Sequence, residues 1–585
     1  MTQSNEFDTD VLVIGTGPAG LTTTLALASQ GVRVRTVTMF NWLANSPRAH
    51  ITNQRAMEVL RDLGIEQEVI RQATPWEQMG DTLITTSLVG EEIARVRAWG
   101  TGDLRKGDYV KGSPCTMVDL IQPEMEAILV KAAAERGAQL SFSTEYLGHK
   151  QDDEGVTSLL RDTLTGREYT VRSKFLVGMD GARSKVVEEL ELPIEGEMSR
   201  AGTAYVIFDA DLSKYVAHRP SILQWIANPI AGFGEIGMGL LRAIRPWDQW
   251  IAGWGFDMSK GEPDLSDATV LQRIRTLVGD PDLEVDLKRS SIWYVNQAYA
   301  TQYSKGRVFC GGDATHRHPP SSGLGSNTCM QDGFNLGWKL AYVVKGYAGR
   351  ELLESYSLER APVGKQIVAR ANQSRKDYAP FKDCFQFNNG IDSVEKLLAH
   401  VKAPTPEGVE TRQKLQAALE LKSYEFNAQG VELNQRYKSS AVIPDVGQQE
   451  EVWKQDPVLY LQATTRPGAK IPHAWLVNKE GHRISTLDVV GKGNFTLVTG
   501  LAGRAWVDAA KELNQPFLKV VVTGERGTAD PYCDWQRIRE IHEAGALLVR
   551  PDGVVAWRSV DAVWDLEQAY KALKEALSQI LSNPA

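Results

Sequence analysis

The stretch that decides the fold is Asp10–Gly31, "DVLVIGTGPAGLTTTLALASQG". Its opening apolar run is typical of a strand that is buried on both faces of a parallel sheet. Its second half has an amphipathic helical pattern that ends at Gly31, a residue type common just after a helix. The chain then returns as a second strand-like run, "VRVRTVTMF". The segment therefore predicts a βαβ unit at the start of an α/β fold.

The turn between this strand and helix carries a GxGxxG pattern formed by Gly15, Gly17 and Gly20. The first glycine permits a tight turn, the second lets a pyrophosphate approach the backbone, and the third allows close packing of helix on strand. The N-terminus of the helix adds a partial positive charge. The second strand ends in Thr38 and Met39 rather than in the acidic residue that usually binds the adenosine ribose. A dinucleotide site is predicted, with the Thr38 hydroxyl as a weaker ribose contact.

The composition is that of an ordinary soluble globular protein, with 42% hydrophobic and 24% charged residues among 585. At roughly 150 residues per unit, the length predicts about four folded units. The 65 basic and 73 acidic residues give a net charge of −8, which offers no broad basic surface to nucleic acid. No run approaches the ~18 apolar residues that a membrane span needs, and the polar start "MTQSNEFDTD" is unlike a signal peptide. The five scattered cysteines form no CxxC, which favours reduced thiols and a cytoplasmic location.

The succession of strand-like and helical patterns divides the chain into predicted domains. Residues 1–190 and 300–375 form one Rossmann-like nucleotide-binding domain, and residues 191–299 form a β-rich domain inserted into it. Residues 376–467 are irregular and predict a connecting region that packs on the main body. Residues 468–585 alternate strands and helices with a thioredoxin-like rhythm. Because that last part lacks a CxxC, we expect no redox chemistry there.

Two further stretches, "GMDGARS" (Gly178–Ser184) and "GRVFCGGDATH" (Gly306–His316), narrow the interpretation. Together with the GxGxxG turn they resemble the three fingerprints of the single-component flavin-dependent aromatic hydroxylases, the class A monooxygenases. Their order, their spacing and the β-rich insert between the second and third agree with that family. "SPRAHITNQRAMEVLRDLG" (Ser46–Gly64) and the C-terminal "LLVRPDGVVAWR" resemble its phenol-hydroxylase branch, and within it the 2,4-dichlorophenol 6-monooxygenase type. The resemblance covers essentially the whole chain.

The resemblance implies a fold and a reaction. The fold would be a para-hydroxybenzoate-hydroxylase-like FAD-binding domain with an inserted substrate domain and a structural thioredoxin-like C-terminal domain. FAD would be bound tightly but not covalently, and NADPH or NADH would visit as a transient co-substrate, since the chain has no second GxGxxG unit. With O2, a flavin C4a-hydroperoxide would hydroxylate a phenolic ring at the ortho position and give a catechol. The expected assembly is a homodimer or a larger homo-oligomer.

Four residues carried over from the family would serve the FAD. Asp313 would accept hydrogen bonds from the ribityl chain or contact the pyrophosphate region, and Asp180 would orient the neighbouring loop. Arg48 would bind the pyrophosphate, which suits a guanidinium, and Gln122 would be a further flavin contact. For Arg48 and Gln122 the alternative is a solvated position at a helix end.

The segment Gly312–Asp332, "GDATHRHPPSSGLGSNTCMQD", invites a metal or nucleophile interpretation. His316 and His318 could share one face of an extended segment, but third and fourth ligands at suitable spacing are not evident. A GxSxG elbow is also missing. The segment instead predicts a proline-stiffened turn and a helix start whose N–H groups face the N1–C2=O edge of the flavin. No metal is expected, and the predicted backbone contacts are Pro320, Gly323, Leu324, Gly325, Ser326 and Asn327.

His50 is the predicted catalytic residue. Phenol hydroxylases proper carry an aspartate at this position of "PRAHITNQR", and it assists deprotonation of the substrate. A phenol resembles tyrosine, with a pKa of about 10 against about 6.5 for histidine, so direct proton transfer is uphill by roughly 5 kcal/mol. The pocket must stabilise the phenolate, or the substrate must itself be acidic, as halogenated phenols are. The alternative is a histidine bonded to backbone near the flavin.

The β-rich insert supplies the predicted substrate contacts. Its aromatic residues could line a pocket or form ordinary core. The predicted contacts are Tyr205, Trp225, Trp254, Trp293, Tyr294 and Gln297. Arg242 and Arg245 could bind a substrate carboxylate, or they could be strand-end residues and ion-pair partners.

Three other functions compete with hydroxylation. A flavin halogenase of the tryptophan type would carry a WxWxIP stretch, which this chain lacks. A Baeyer–Villiger oxygenase on the same scaffold has no distinguishing motif. A non-catalytic FAD-binding redox sensor would show no substrate-stimulated NAD(P)H consumption.

Overall fold

The computed structural model describes residues 7–198, 201–230, 236–387, 389–447 and 449–583. The strands up to residue 198 are β1 (Thr9–Ile14), β2 (Val34–Val37), β3 (Ile51–Thr52), β4 (Thr82–Thr85), β5 (Glu92–Val96), β6 (Val118–Asp119), β7 (Gln139–Ser141), β8 (Thr144–Gln151), β9 (Val156–Asp162), β10 (Glu168–Gly178) and β11 (Ile194–Glu197). The helices of this part are α1 (Pro18–Ser29), α2 (Gln54–Asp62), α3 (Glu66–Gln72), α4 (Trp76–Met79), α5 (Lys106–Gly112), α6 (Gln122–Glu135) and α7 (Lys185–Leu190).

The middle of the chain contains a second set of strands and two long helices. The strands are β12 (Gly202–Asp209), β13 (Leu223–Ile226), β14 (Gly239–Arg245), β15 (Gln249–Phe256), β16 (Asp286–Tyr294), β17 (Gln297–Ala300), β18 (Ser304–Lys305), β19 (Val308–Cys310) and β20 (His316–Arg317). The helices are α8 (Ser213–Val216), α9 (Asp267–Val278), α10 (Gly325–Val344) and α11 (Glu354–Lys376).

The remainder begins with helices and ends in a small mixed domain. The helices are α12 (Ala379–Phe385), α13 (Val394–Val401), α14 (Pro406–Leu421), α15 (Ser423–Phe426), α16 (Gln429–Leu433), α17 (Thr486–Val489), α18 (Arg504–Leu513), α19 (Asp534–Ile538) and α20 (Leu566–Leu581). The strands are β21 (Trp475–Val477), β22 (Arg483–Ser485), β23 (Phe495–Gly500), β24 (Leu518–Thr523), β25 (Ala546–Val549) and β26 (Val555–Ser559). Within the described ranges, no helix combines the length and apolar character that a bilayer crossing requires.

The first sheet is the predicted Rossmann-like core. Its strands follow the order β18-β19-β10-β1-β2-β7, with β9 and β8 attached beside β10. β1 pairs in parallel with both β10 and β2, and every residue of β1 is buried. α1 packs on this sheet against α10, which explains why nearly all of its side chains are buried. The sequence prediction of a βαβ unit is confirmed.

The second sheet contains seven strands in the order β16-β12-β15-β14-β13-β4-β5. β12 alternates buried and half-buried residues, because its Ala204 face packs on α9 while its Tyr205 face is turned toward the FAD domain. The pairing of β4 with β13 brings two strands from residues 82–96 into this sheet. The range 191–299 predicted for the β-rich domain does not include β4 and β5. They join this sheet through pairing with a strand that is distant in sequence, which no local sequence pattern indicates.

The C-terminal sheet has the order β24-β23-β25-β26, with β23 and β24 parallel and the other pairs antiparallel. With α18 between the parallel strands and α20 after the hairpin, this is a βαβ–ββα arrangement of the thioredoxin type. The cysteine of this part, Cys533, is exposed and unpaired. The predicted fold, with a thioredoxin-like C-terminal domain that lacks CxxC, is confirmed.

Candidate active site

The glycines of the GxGxxG turn fall into two structural kinds. A Cβ on Gly15 would lie 2.2 Å from the carbonyl oxygen of Met179, and a Cβ on Gly20 would lie 2.0 Å from that of Gly15. Gly15 also has a φ of +109°, which disfavours any side chain. A Cβ on Gly17, in contrast, meets nothing within 4 Å. Two glycines are thus required by protein packing, and the third borders open space.

The open space lies at the N-terminus of α1. No side chain caps this helix, and its first turn contains no acidic residue. Its first backbone N–H groups therefore have no partner within the helix and face the space beside Gly17. An anionic pyrophosphate fits this cradle, because free N–H groups and the helix dipole both favour negative charge.

Two aspartates border the cradle and differ in their surroundings. Asp180 accepts hydrogen bonds from the Ser184 hydroxyl (2.5 Å) and from Lys185 N (2.9 Å), and burial raises its pKa. These bonds fit the predicted role of orienting the loop. Asp313 is exposed, and the thiol of Cys329 lies 3.6 Å from its carboxylate. Its carboxylate is therefore open to the hydroxyls of a ligand, as the prediction requires.

The start of α10 has the same open character as the start of α1. No side chain caps it, and its first turn is free of acidic residues. Gly323 precedes it with a φ of +60°, and the side chain of Leu324 is buried, so any ligand contact there is through backbone. Asn327 is committed to structure, because its amide donates to Ile51 O (2.8 Å) and accepts from Asn53 N (2.9 Å). Pro320, Gly325 and Ser326 lie at this turn and helix start as expected.

The remaining predicted cofactor residues lie around this cradle. Arg48 is exposed, and the neighbouring Ala49 accepts a hydrogen bond from the backbone of Gln122 (2.8 Å) at the start of α6. The Gln122 amide donates to Glu126 (2.7 Å). Thr38 is buried at the end of β2, with its hydroxyl 3.5 Å from Phe40 N. Their contacts with FAD stay predictions.

His50 is tied to a carboxylate rather than to backbone. Its Nδ1 lies 3.0 Å from Oδ2 of Asp119, and Oδ1 of the same aspartate accepts from Nη2 of Arg242 at 3.3 Å. Arg242 also donates to Pro47 O at 3.2 Å. The side chains of His50, Asp119 and Arg242 are 18%, 2% and 5% exposed. The side chains of His50, Asp119 and Arg242 therefore form one nearly buried, hydrogen-bonded triad.

Short strands bring the residues of this triad together. Ile51 on β3 pairs with Asp119 on β6, and Leu120 N donates to His50 O at 2.7 Å. The open starts of α1 and α10 together form the flavin cradle. Asn327, at the start of α10, donates a hydrogen bond to Ile51 O, and His50 is the residue before Ile51. His50 therefore lies next in sequence to a residue that contacts the flavin cradle. Arg242 extends from β14 of the second sheet, so the hydrogen bonds of the triad connect the FAD domain to the β-rich domain.

Burial and mutual contacts determine the charge of each side chain in the triad. Burial and the positive charge of Arg242 lower the pKa of His50 to about 4, although Asp119 opposes the shift. Burial raises the pKa of Asp119, but the charges and hydrogen bonds of its two partners outweigh it and hold the pKa below its ordinary value. Burial lowers the pKa of Arg242 to about 10. At neutral pH the site therefore holds a neutral imidazole, a carboxylate and a guanidinium.

The two arginines considered as carboxylate ligands are both paired within the protein. Arg242 is buried against Asp119, and Arg245 forms an ion pair with Glu124 on α6 at 2.8 Å. Of the two interpretations made from the sequence, ion pairing is the one observed. Asp119 is not among the site residues predicted from the sequence; it lies on β6, three residues before the start of α6 at Gln122.

The strand register separates the predicted substrate aromatics. Trp225, Leu240, Gly253 and Tyr205 follow one another across β13, β14, β15 and β12, so their side-chain positions share the face that carries Arg242. A Cβ on Gly253 would lie 2.9 Å from the Tyr205 ring, so this glycine leaves room for the tyrosine.

Trp293 pairs with Thr203 and lies on the same face as Tyr205, whereas Trp254 pairs with Ala204 and lies on the other. Trp254 packs in the core under α9, with the Arg273 guanidinium 5.5 Å from its ring centre. Trp254 therefore lies on the face opposite to Tyr205 and Arg242, because side chains alternate between the two faces of a strand.

Three other predicted positions have protein partners. The ring of Trp225 packs edge-on against Tyr378 at 4.9 Å. The Tyr294 hydroxyl donates to Glu262 at 2.9 Å. Gln297 lies on β17, which pairs with β11 and β20 in a small separate sheet.

The two histidines of the third fingerprint hold the loop. Nε2 of His316 lies 2.8 Å from Asp332, which also accepts from Arg360 Nε (2.6 Å), and all three side chains are fully buried. Nδ1 of His318 donates to Pro319 O at 2.7 Å. Ligand-type atoms of Asp313, His316 and Cys329 lie within 4.8 Å of one another. Burial raises the pKa of the Cys329 thiol well above its ordinary value, so the thiolate that metals prefer is disfavoured.

Comparison with known proteins agrees with this geometry. Residues 8–371 match the family described as "FAD binding domain", and residues 464–584 match "Aromatic-ring hydroxylase, C-terminal". The chain is 47% identical to 2,4-dichlorophenol 6-monooxygenase of Cupriavidus pinatubonensis, over 97% of this chain and 96% of the relative. It is 46% identical to phenol 2-monooxygenase of a Pseudomonas species, over 97% and 92%.

Solved structures extend the similarity to three dimensions. The flavin-dependent monooxygenase PieE, in complex with FAD and substrate, matches with a TM-score of 0.94 and 41% identity, over 99% of this chain and 100% of the other. Aklavinone-11 hydroxylase, in a ternary complex with FAD and aklavinone, matches with a TM-score of 0.81 and 30% identity, over 99% and 100%. The glycine cradle and the two open helix starts fit FAD, and the chain belongs to the FAD-dependent aromatic-ring hydroxylases.

Proposed function

We propose that this monooxygenase hydroxylates a phenol at the ortho position and releases a catechol, consuming O2 and NADPH or NADH. Support comes from the two relatives whose names contain phenol substrates and from the pair formed by His50 and Asp119. That pair carries the proposal, because it places a neutral proton acceptor one residue from the flavin cradle. The phenolate that results from deprotonation is far more nucleophilic at its ortho carbon than the phenol.

The residues of the chain have separate tasks in this reaction. The chemistry that FAD would supply here when bound is an electrophilic oxygen atom derived from O2. The open N-termini of α1 and α10 would bind and orient the cofactor, and the half-buried face around Tyr205 would shield the bound substrate from water. His50 accepts the phenol proton at Nε2, and Asp119 holds the imidazole at Nδ1.

The acidity of His50 restricts the substrate. A pKa of about 4 at His50 against about 10 for an unsubstituted phenol makes proton transfer uphill by roughly 8 kcal/mol. The positive charge of Arg242 contributes to this cost by lowering the pKa of His50, but it would also stabilise the phenolate and so offset part of the cost. Its Nε–H is buried without a hydrogen-bond partner among the described residues, so it is a donor available to a substrate oxygen or a water. We therefore expect phenols with electron-withdrawing ring substituents to be the better substrates.

The test is substrate-stimulated oxidation of NADH and of NADPH by the holoenzyme across a series of phenols of graded acidity, with the product identified by mass spectrometry and NMR. We expect an ortho-catechol and a turnover rate that rises as the phenol becomes more acidic. A lactone or ester product would indicate ring insertion instead. Absence of stimulation by every phenol would favour a sensor.

Assembly and location stay proposals as well. All five cysteines are unpaired, which supports a reducing compartment such as the cytoplasm. A homodimer or larger homo-oligomer is expected from the family, and light scattering of the purified holoenzyme measures it.

A further inference from the structure

The two oxygens of the Asp119 carboxylate bind different partners. Oδ2 faces Nδ1 of His50 at 3.0 Å, and Oδ1 faces Nη2 of Arg242 at 3.3 Å. An ionised carboxylate only accepts hydrogen bonds, so Nδ1 of the neutral imidazole must be the donor. The other ring nitrogen, Nε2, then keeps its lone pair. No described residue hydrogen-bonds to Nε2, and the side chain as a whole is 18% exposed, so the lone pair of this nitrogen has no protein partner among the described residues.

We propose that Asp119 is the positioning residue of His50: it fixes the tautomer with the proton on Nδ1 and thereby presents the Nε2 lone pair to the phenol hydroxyl. The inference rests on the proposed function, because it assigns a role in phenol deprotonation. The proton moves from the phenol oxygen to Nε2, the O–H bond breaks, and its electron pair stays on the phenolate. The imidazolium so formed remains bonded to the carboxylate.

Arg242 has a supporting role in the triad of His50, Asp119 and Arg242. It keeps Asp119 ionised and fixes the carboxylate between β6 and β14. Its positive charge also opposes protonation of His50 before substrate binds. Two further ionisable groups interact electrostatically with the triad. Tyr205 on β12 raises the pKa of Arg242, and Arg375 on α11 lowers the pKa of Tyr205. Among the described residues, Arg242 and Asp119 are the titratable groups that shift the pKa of His50.

A double-mutant cycle separates positioning from an independent role. We expect His50→Ala to lower the hydroxylation rate by about 100-fold, the usual worth of a general base. Asp119→Asn should cost about as much, because an amide N–H donated to Nδ1 would force the proton onto Nε2. In the His50→Ala background, Asp119→Asn should change the rate by less than about threefold. Losses that multiply would overturn the inference, as would a fully active Asp119→Asn.

A spectroscopic measurement reads the tautomer without turnover. In holoenzyme labelled with 15N-histidine, the His50 signals, assigned by their loss in His50→Ala, should show a protonated Nδ1 and an unprotonated Nε2. Asp119→Asn should exchange the two signals, and Asp119→Glu should restore the original pattern with part of the activity. A wild-type spectrum with the proton on Nε2 contradicts the proposal.

Two further variants guard against loss of folding. Asp119→Asn leaves Arg242 buried without its partner, so Asp119→Asn combined with Arg242→Met removes both charges and should fold while still lacking the tautomer control. The matched control is Glu124→Gln, which breaks a carboxylate–guanidinium pair between α6 and β14 that does not contact His50. Its rate and His50 signals should equal those of wild type. If wild type itself hydroxylates no phenol, the proposed function fails, whereas an active wild type with additive losses contradicts only the role of Asp119.

Discussion

Burial makes the side chains of His50 and Glu432 neutral at pH 7, with different consequences. Burial and Arg242 lower the pKa of His50 to about 4, and burial raises the pKa of Glu432 to about 8. For His50 the neutral form is the one that can accept a proton. For Glu432, on α16, one carboxyl oxygen is buried without a partner among the described residues. The first shift keeps the imidazole free to accept a proton but makes it a weaker base, whereas the second is a cost to stability.

Glu432→Gln should stabilise the protein in a pH-dependent manner. Between the unfolded pKa of about 4.5 and the folded pKa of about 8, the folded state binds the extra proton, so stability falls as pH rises through this window. Glutamine keeps the size of the side chain and does not titrate. We expect the variant to match wild type near pH 5 and to exceed it at pH 8 by up to about 4 kcal/mol. Thermal unfolding midpoints at the two pH values measure the difference.

The control for this comparison is Glu420→Gln, on the exposed surface of α14. It should leave the midpoints unchanged at both pH values. An equal gain from Glu432→Gln at pH 5 and pH 8 would show that packing, rather than the retained proton, is responsible.

The site was predictable at His50 but not at Asp119. His50 stands in "PRAHITNQR", and its resemblance to a family motif identified it. Asp119 lies 69 positions further along and meets His50 through two strands of two residues each. Strands that short have no alternation to detect, so no pattern in the sequence relates the two residues.

At the level of elements, the turn before α1 shows which glycines serve packing and which serves the cofactor. Gly17→Ala should fold normally, because its added Cβ meets no protein atom within 4 Å and its backbone is extended with a φ of −76°. The methyl would instead occupy space beside the helix N-terminus, where the pyrophosphate is expected. We predict an unchanged apoprotein midpoint and FAD affinity weakened at least tenfold, or about 1.4 kcal/mol. Fluorescence titration of the apoprotein with FAD measures it.

Gly20→Ala is the contrasting variant. Its Cβ would lie 2.0 Å from Gly15 O, so we expect loss of folded protein rather than selective loss of FAD. Full FAD affinity in Gly17→Ala would contradict the placement of the cofactor.

The second sheet shows what alternation along a strand predicts and what it leaves open. The strand-like patterns of the insert predicted strands, and the strands are observed. Which face each aromatic occupies depends on register, which separates Tyr205 from Trp254. The membership of β4 and β5 could not be predicted, because it depends on the parallel pairing of β4 with a strand more than a hundred residues away.

On the scale of the whole molecule, a buried ionic cluster fixes the C-terminal domain to the FAD domain. Arg550 donates to Glu359 on α11 at 2.6 and 2.9 Å and also pairs with Asp552. Lys339 on α10 donates to the same glutamate at 2.8 Å. The Arg550, Glu359 and Lys339 side chains are fully buried, so the two domains share one continuous interior.

Arg550→Met should therefore destabilise the whole protein. It would leave Glu359 and Asp552 buried with only part of their compensating charge, which typically costs about 3–5 kcal/mol. The thermal midpoint and the rate of limited proteolysis between the domains measure the effect. The control is Arg504→Met on α18, whose side chain is 82% exposed beside Asp508 and whose loss should change neither quantity. Equal behaviour of the two variants would contradict a structural role for the cluster.

The origin of the new oxygen atom is the sharpest test of ring hydroxylation by this protein. Holoenzyme is supplied with NADH or NADPH and an acidic phenol under 18O2, and the product is analysed by mass spectrometry and NMR. We expect one 18O atom per product, located in a new hydroxyl group ortho to the original one, and none from labelled water. A product without 18O, or with 18O within an ester or an enlarged ring, would contradict it.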